Sequence, residues 1–275
     1  MFKVPDHQVA GHRGPLVDDS GRFYKPLQNN ERGTKEVAFY TSFSANSKIP
    51  THVRRYFPIY HGTQFLESSD GSGMHPHLVL QDIVSNRQNP SVMDIKMGSR
   101  TCYPQASEDY ITRCFQKDRE STSVPLGFKI CGLQTYDSEK LGYWKPQKDV
   151  VKKFTSEDVK MTLKRFVSSN SSSDAEPDCL RATKVYGGSD GILAQLLELK
   201  AWFEDQTIYH FNSCSILMVY GQGVEDGAQV KLVDFAHVVD GEGVIDHNFL
   251  GGLCVLIKFV SDILVSSTTR SKTTA

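Results

Sequence analysis

No Cys-x-x-Cys pair occurs anywhere in the sequence, and its six cysteines (Cys102, Cys114, Cys131, Cys179, Cys214 and Cys254) are scattered. Most sit inside apolar runs, which argues against a disulfide framework or a zinc site and for reduced thiols packed as small hydrophobes. Residence in the cytoplasm and nucleus is therefore expected. Residues 1–6 lack the apolar stretch of a leader, and residues 271–275 carry no lipidation or retention signal, so neither is expected. No segment is read as approaching the roughly 20 apolar residues of a membrane span. Excess charge is missing too. The formal net charge of -1 does not suit a whole-chain surface for nucleic acid, and no such partner is expected. An anionic ligand would need a local basic site. No internal repeat is visible. Neither an H-R-D element nor a G-x-G-x-x-G loop occurs, which argues against a protein kinase.

What is present suits one large domain or two lobes, since 275 residues can bury a proper core. The first part reads as β-rich. Arg22–Pro26 is a short strand with Lys25 near its end, and Glu36–Phe43 suits a helix with Glu36 in its first turn. Further strands are expected at residues 78–84 and 91–97. The second part mixes helix and strand. Ser107 and Ser156 are expected to cap helices. On the first of these, the apolar stripe is Tyr110, Ile111, Cys114 and Phe115, with the last two turned toward the core. Strands are expected at 127–136, 214–220 and 230–235, helices at 192–203 and 249–264, and a hairpin connection at 221–227. Residues 168–177 read as a Ser-rich loop. His75-x-His77 has metal-ligand types at tight spacing, but it reads as a Gly-rich turn with no third ligand.

Two patterns carry chemistry. In Pro90–Gly98, Asp94 and Lys96 fall on one strand face, between apolar neighbours. From the bare pattern they are either a structural ion pair at a sheet edge or a functional pair. In Val230–His237, Asp234 ends an apolar strand and precedes Phe235, as does the metal-holding Asp of kinases. Taken together they resemble the inositol polyphosphate kinase family. Its P-x-x-x-D-x-K-x-G motif is matched by Pro90, Asp94, Lys96 and Gly98, and its I-D-F-A-H-like element by Val233–His237. Its S-S-L-L element is matched in part by Cys214-Ser215-Ile216-Leu217. The likeness runs from Gln8–His12 to the last helix and is greatest to the plant multikinase branch.

The resemblance implies an α+β, two-lobed kinase-like fold. A β-rich N-lobe would span residues 1–85 and an α/β C-lobe residues 86–275, with a short substrate-binding insert at about 102–127. It also implies ATP and Mg²⁺ as cofactors, inositol polyphosphates as partners and a monomer. By the same resemblance Lys25 reaches the ATP phosphates and pairs with Glu36, and Gln81, Asp82 and Ile83 form the hinge. Asp94 binds ribose, Lys96 lies between substrate and γ-phosphate, and Asp234 holds the metal. Arg32, in an Asn30–Gly33 turn, and Lys117 bind substrate. Arg113 shares the face of Lys117 at i, i+4, and His237 can donate to a phosphate. Arg100 and Lys145 are further candidates. The short insert implies an open site of multikinase range, acting on the 6- and 3-positions. A non-catalytic scaffold that binds inositol phosphates is the alternative from another class, and intact Lys25, Asp94, Lys96 and Asp234 count against it.

Overall fold

Short apolar runs separated by turn residues build two five-stranded antiparallel sheets. The computed structural model describes residues 1–11, 13–28, 30–223 and 226–273. The first sheet holds β1 (Phe2–Lys3), β2 (Leu16–Asp18), β3 (Arg22–Pro26), β4 (Tyr60–Glu67) and β5 (Met74–Gln81), in the order β1-β2-β3-β5-β4. Between β3 and β4 the chain forms α1 (Glu31–Ala45) and the single turn α2 (Thr51–Arg54). The remaining strands are β6 (Ser91–Met97), β7 (Phe128–Ser138), β8 (Gly142–Trp144), β9 (Tyr209–Phe211), β10 (Ser215–Tyr220), β11 (Gln229–Val233) and β12 (Val238–Asp240). They make a second sheet ordered β11-β10-β6-β7-β8 and a separate β9–β12 pair. The insert supplies α3 (Glu108–Arg119) and α4 (Ser123–Leu126). α5 (Lys148–Val151), α6 (Ser156–Phe166), α7 (Ala182–Val185), α8 (Ile192–Asp205) and α9 (His247–Thr273) complete the chain.

Several boundaries differ from the sequence reading, each for a local reason. The Asn30 side chain accepts the Arg32 amide at 3.0 Å, so α1 starts at Glu31. Arg32 thus lies in a helix rather than a turn, and Glu36 moves to the second turn. Ser107 caps α3 as expected, but α6 is capped by Thr155 in a reciprocal capping box with Asp158. His75 and His77 belong to β5 rather than a turn, and His77 is fully buried. Phe115 is exposed, and the buried positions of α3 are Cys114 and Asp118. Asp118 is paid in hydrogen bonds: its carboxylate accepts the Thr101 amide and hydroxyl at 2.8 and 2.9 Å. β10 and β11 pair antiparallel as the hairpin reading requires; Val224 and Glu225 of its connection, like His12, lie outside the described residues.

The expectation about membrane spans also needs correction. Residues 247–269 of α9 are long and apolar enough to cross a membrane by length and composition. In the fold, Phe249, Leu253, Leu256 and Val260 are fully buried on one face of that helix. Its outer face carries a Lys258–Asp262 ion pair. This is the pattern of an amphipathic helix that packs one face on the core.

An aromatic column joins the two halves. Phe235 packs on Phe39 of α1 with ring centroids 4.4 Å apart, and Phe43 packs on Phe57 at 4.2 Å. Phe211 bridges from Phe235 to Phe249, which stacks on Phe203 at 4.2 Å. Each such pair adds about 0.5–1.5 kcal/mol beyond burial. The residue before Phe235 is Asp234, so the column fixes that carboxylate from behind.

Candidate active site

β6 sets the axis of the site. Met93, Ile95 and Met97 are fully buried on one face, while Val92, Asp94 and Lys96 share the other. A cleft of two chambers runs along that second face. Val92 lines an apolar chamber, Lys96 a polar one, and Asp94 both. β10 repeats the progression, with Leu217 on the apolar side and Ser215 on the polar side. The register explains it, because Leu217 pairs with Asp94 and Ser215 with Lys96. On the other flank, β7 bulges beside Asp94, leaving Cys131 as the extra residue facing the polar chamber. At the end of β6, Gly98 takes a φ of 103°. A Cβ there would stand 2.5 Å from Asn248 Nδ2, so the motif glycine is required by both conformation and space.

Lys25, Glu36, Asp94 and Asp234 form the wall common to both chambers. Lys25 Nζ lies 2.9 and 3.0 Å from the Glu36 carboxylate oxygens and 2.7 Å from Asp234 Oδ1. Burial alone would push the Lys25 pKa down, but Asp234 and then Glu36 outweigh it and hold the ammonium charged. Asp234 has a φ of 68°, a conformation costing on the order of 1 kcal/mol or more outside glycine. The following residue holds it there: the Phe235 amide donates to Glu36 Oε1 at 3.3 Å. This is why β11 stops at Val233 instead of running to Phe235. Burial, then the Asp234 charge, pushes the Asp94 pKa up to about 6. Asp94 Oδ1 has no hydrogen-bond partner among the described residues. The Lys96 ammonium donates to Ser213 Oγ at 3.2 Å. Burial opposes its charge, while Cys131, Asp234 and Asp94 together raise its pKa.

The apolar chamber is walled by Phe23, Leu80, Val84, Val92, Leu217 and Val233, with Gln81, Asp82 and Ile83 at its rim. Its empty volume is about 1010 Å³, including the part open to solvent. Most rim amides are engaged. Gln81 N donates to Ile59 O and Asp82 N to Gly21 O, while Asp82 Oδ1 accepts the Val84 and Ser85 amides. The Ile83 amide has no acceptor among the described residues.

The polar chamber gathers Gln28, Arg32, Lys96, Tyr110, Ser213 and His237 around the same wall. His237 stacks on Tyr103 with centroids 4.5 Å apart, and Arg32 lies over the Tyr110 ring. Burial, then the charges of Arg32, Lys96 and Lys35, lowers the His237 pKa to about 4. It is a neutral ring amid cations.

Ten of the twelve site residues read from the sequence thus line this cleft: Lys25, Arg32, Glu36, Gln81, Asp82, Ile83, Asp94, Lys96, Asp234 and His237. Arg113 and Lys117 do not. They follow Tyr110 along α3, one and two turns beyond the chamber, and are exposed. Arg100 is exposed on a loop held by Asn248. Lys145 instead donates to Gln8 O at 2.9 Å. Sequence reasoning missed Tyr103, Tyr110 and residues 5–11. Tyr110 fell into the apolar stripe of α3, and nothing in spacing marks an irregular segment as a chamber wall.

Comparisons with known proteins place the chain in a family. Residues 77–261 match the family model for inositol polyphosphate kinase. The chain is 57% identical to inositol polyphosphate multikinase beta of Arabidopsis thaliana, over 97% of this chain and 95% of that one. A solved structure of an inositol phosphate multikinase superposes with a TM-score of 0.73 at 52% identity, covering 83% of this chain and 99% of the other. The fold is shared more widely. The S. cerevisiae inositol phosphate multikinase Ipk2, solved in complex with ADP and Mn²⁺, gives a TM-score of 0.68 at 20% identity, covering 88% and 99%. A paired-sheet, kinase-like α+β fold, a charged wall between two chambers and these likenesses lead to one conclusion: the chain is a kinase belonging to the inositol polyphosphate kinase family.

Proposed function

We propose that the enzyme transfers the γ-phosphoryl group of ATP to a hydroxyl of an inositol polyphosphate, with ATP in the apolar chamber and the acceptor in the polar one. One observation carries the reading: Lys25, Glu36, Asp94 and Asp234 line both chambers, so groups bound on either side meet at one charged wall. The names of the relatives, and the ADP and Mn²⁺ bound to the yeast protein, support it. Residues 1–85 serve as the nucleotide lobe and residues 86–275 as the acceptor lobe of a monomer, resident in nucleus and cytoplasm.

Adenine lies among the apolar side chains, with the Ile83 amide as its donor at the rim. Lys25, held in place by Glu36, reaches the phosphates. Asp94 Oδ1, a buried acceptor without a partner among the described residues, accepts a hydrogen bond from a hydroxyl of the ribose or the acceptor. Mg²⁺ typically binds one or two carboxylates and completes its shell with phosphates and water. Asp234 fits that demand. Its side chain is 40% exposed where the chambers meet, and no group of three or more His, Cys, Asp or Glu side chains forms a protein cage among the described residues. A cation bound there supplies charge neutralisation at the transferring phosphoryl. Lys96 and Lys25 add to it from the protein, and catalysis rests on positioning and charge rather than on a covalent intermediate.

Arg32, Lys96 and His237 hold acceptor phosphates inside the chamber, and Arg113 and Lys117 extend the cationic surface outward along α3. The short insert leaves room for several phosphorylation states. The expected course is phosphorylation of inositol 1,4,5-trisphosphate at the 6- and 3-positions, giving tetrakis- and pentakisphosphates. The test incubates pure protein with ATP, Mg²⁺ and a panel of inositol phosphates, then separates the products. Successive tetrakis- and pentakisphosphates are expected. ATP turnover without any new inositol phosphate would overturn the reading.

A further inference from the structure

Residues 5–11 leave the first sheet after β1 and cross to the second. Pro5, His7, Gln8, Val9, Ala10 and Gly11 line the apolar chamber, and Ala10 and Gly11 line the polar one as well. The segment belongs to no strand, so side-chain contacts must hold it. Val9 is buried with Val92 and Val219. Its carbonyl lies directly over Gly132, where a Cβ would stand only 2.2 Å from Val9 O. Gln134, also buried, donates to Pro90 O at 3.0 Å and faces His7 Nδ1 at 2.8 Å. The Lys145 ammonium donates to Gln8 O at 2.9 Å. Gly132 is the register partner of Asp94, so this docking brings Ala10 and Gly11 to the shared wall.

We propose that residues 5–11 are a docked wall of the nucleotide chamber, and that Gly132 and Lys145 are positioning residues that set nucleotide affinity through it. The inference rests on the nucleotide reading above. Gly132 and Lys145 do not line either chamber, so both act through the segment they hold. The backbone of Gly132 is not in the left-handed region. A methyl group there is therefore compatible with the strand and tests space alone.

The experiment measures ADP binding by calorimetry in the presence of Mg²⁺, acceptor KM, and hydrogen exchange of the peptide covering residues 5–11. For Gly132→Ala we expect the ADP Kd to rise about tenfold, roughly 1.4 kcal/mol, with acceptor KM within about twofold of wild type. The segment should exchange faster without nucleotide. Lys145→Met should weaken ADP binding about threefold, and Lys145→Arg, which keeps a cationic donor, should restore it. Wild-type ADP affinity in a variant whose segment exchanges faster would overturn the proposal. So would exchange in residues 5–11 that ADP leaves unchanged in the wild type. Should Gly132→Ala fail to fold, the Lys145 pair decides the matter. Absence of ADP binding in the wild type would instead remove the nucleotide reading itself, which separates the two failures.

Discussion

The two chambers share a wall but are built by different means. The apolar one is made from faces of regular strands, one irregular segment and a rim where backbone amides matter more than side chains. The polar one is a convergence of side chains from α1, β6, α3, β10 and the segment after β11. A flat, weakly polar ring needs apolar surface and a donor or two. A molecule bearing several phosphates needs cations from many directions. The net charge of the chain is -1, so the difference lies in placement. Carboxylates stand at the shared wall, and Arg32 and Lys96, in no salt bridge among the described residues, lie beyond it on one side.

The largest effect should come from damage to the shared wall. Asp234→Asn should leave the fold intact and lower kcat by two to four decades, about 3–5 kcal/mol. Steady-state rates beside a thermal melt check it, and near-wild-type turnover would remove Asp234 from the chemistry. A smaller effect should separate the chambers. Arg32→Ala should raise acceptor KM about tenfold with ATP KM unchanged, since one charge-assisted contact contributes roughly 1.5–3 kcal/mol at most. Lys117→Ala, exposed on α3, should raise it only about twofold, and less at high salt. Equal effects at the two positions would move the acceptor outward along the helix.

The smallest effect concerns Asp94, whose carboxyl burial raises to about 6. A carboxyl group with a folded pKa above its unfolded value stabilises the fold fully below the unfolded pKa, near 3.8. That contribution is lost as pH rises through about 6. Asp94→Asn should therefore raise Tm at pH 8, by roughly 2–4 °C for each kcal/mol relieved. Wild-type activity should rise through the same pH window as the carboxylate becomes able to accept a hydroxyl. Melts and rate profiles from pH 5 to 8 read both, and a Tm of the variant below wild type at pH 8 would show that the ionised group stabilises the fold.

How much of this was legible depended on what holds each residue. Asp94 and Lys96 were read as one strand face because strand alternation is local, and β6 kept its expected bounds. Lys25 and Glu36 could be paired only through the family resemblance, since 2.9 Å separates groups eleven residues apart on different elements. The end of β11 was misread because the constraint on Asp234 comes from Phe39 and Glu36, far away in sequence. Phe115 was placed in the core by apolarity, yet Asp118 holds that position through Thr101. The docking of residues 5–11 on Gly132 left no trace, because a glycine within a strand shows nothing of what lies above it.

The central claim is that two ligands occupy two chambers on either side of one wall, and product inhibition tests it most directly. Initial rates are measured with ATP and inositol 1,4,5-trisphosphate varied in turn at several fixed ADP concentrations, at constant ionic strength. The account predicts that ADP competes with ATP alone and leaves the apparent KM of the inositol phosphate nearly unchanged. ADP inhibition competitive with the inositol phosphate would place both ligands in one chamber and contradict the account.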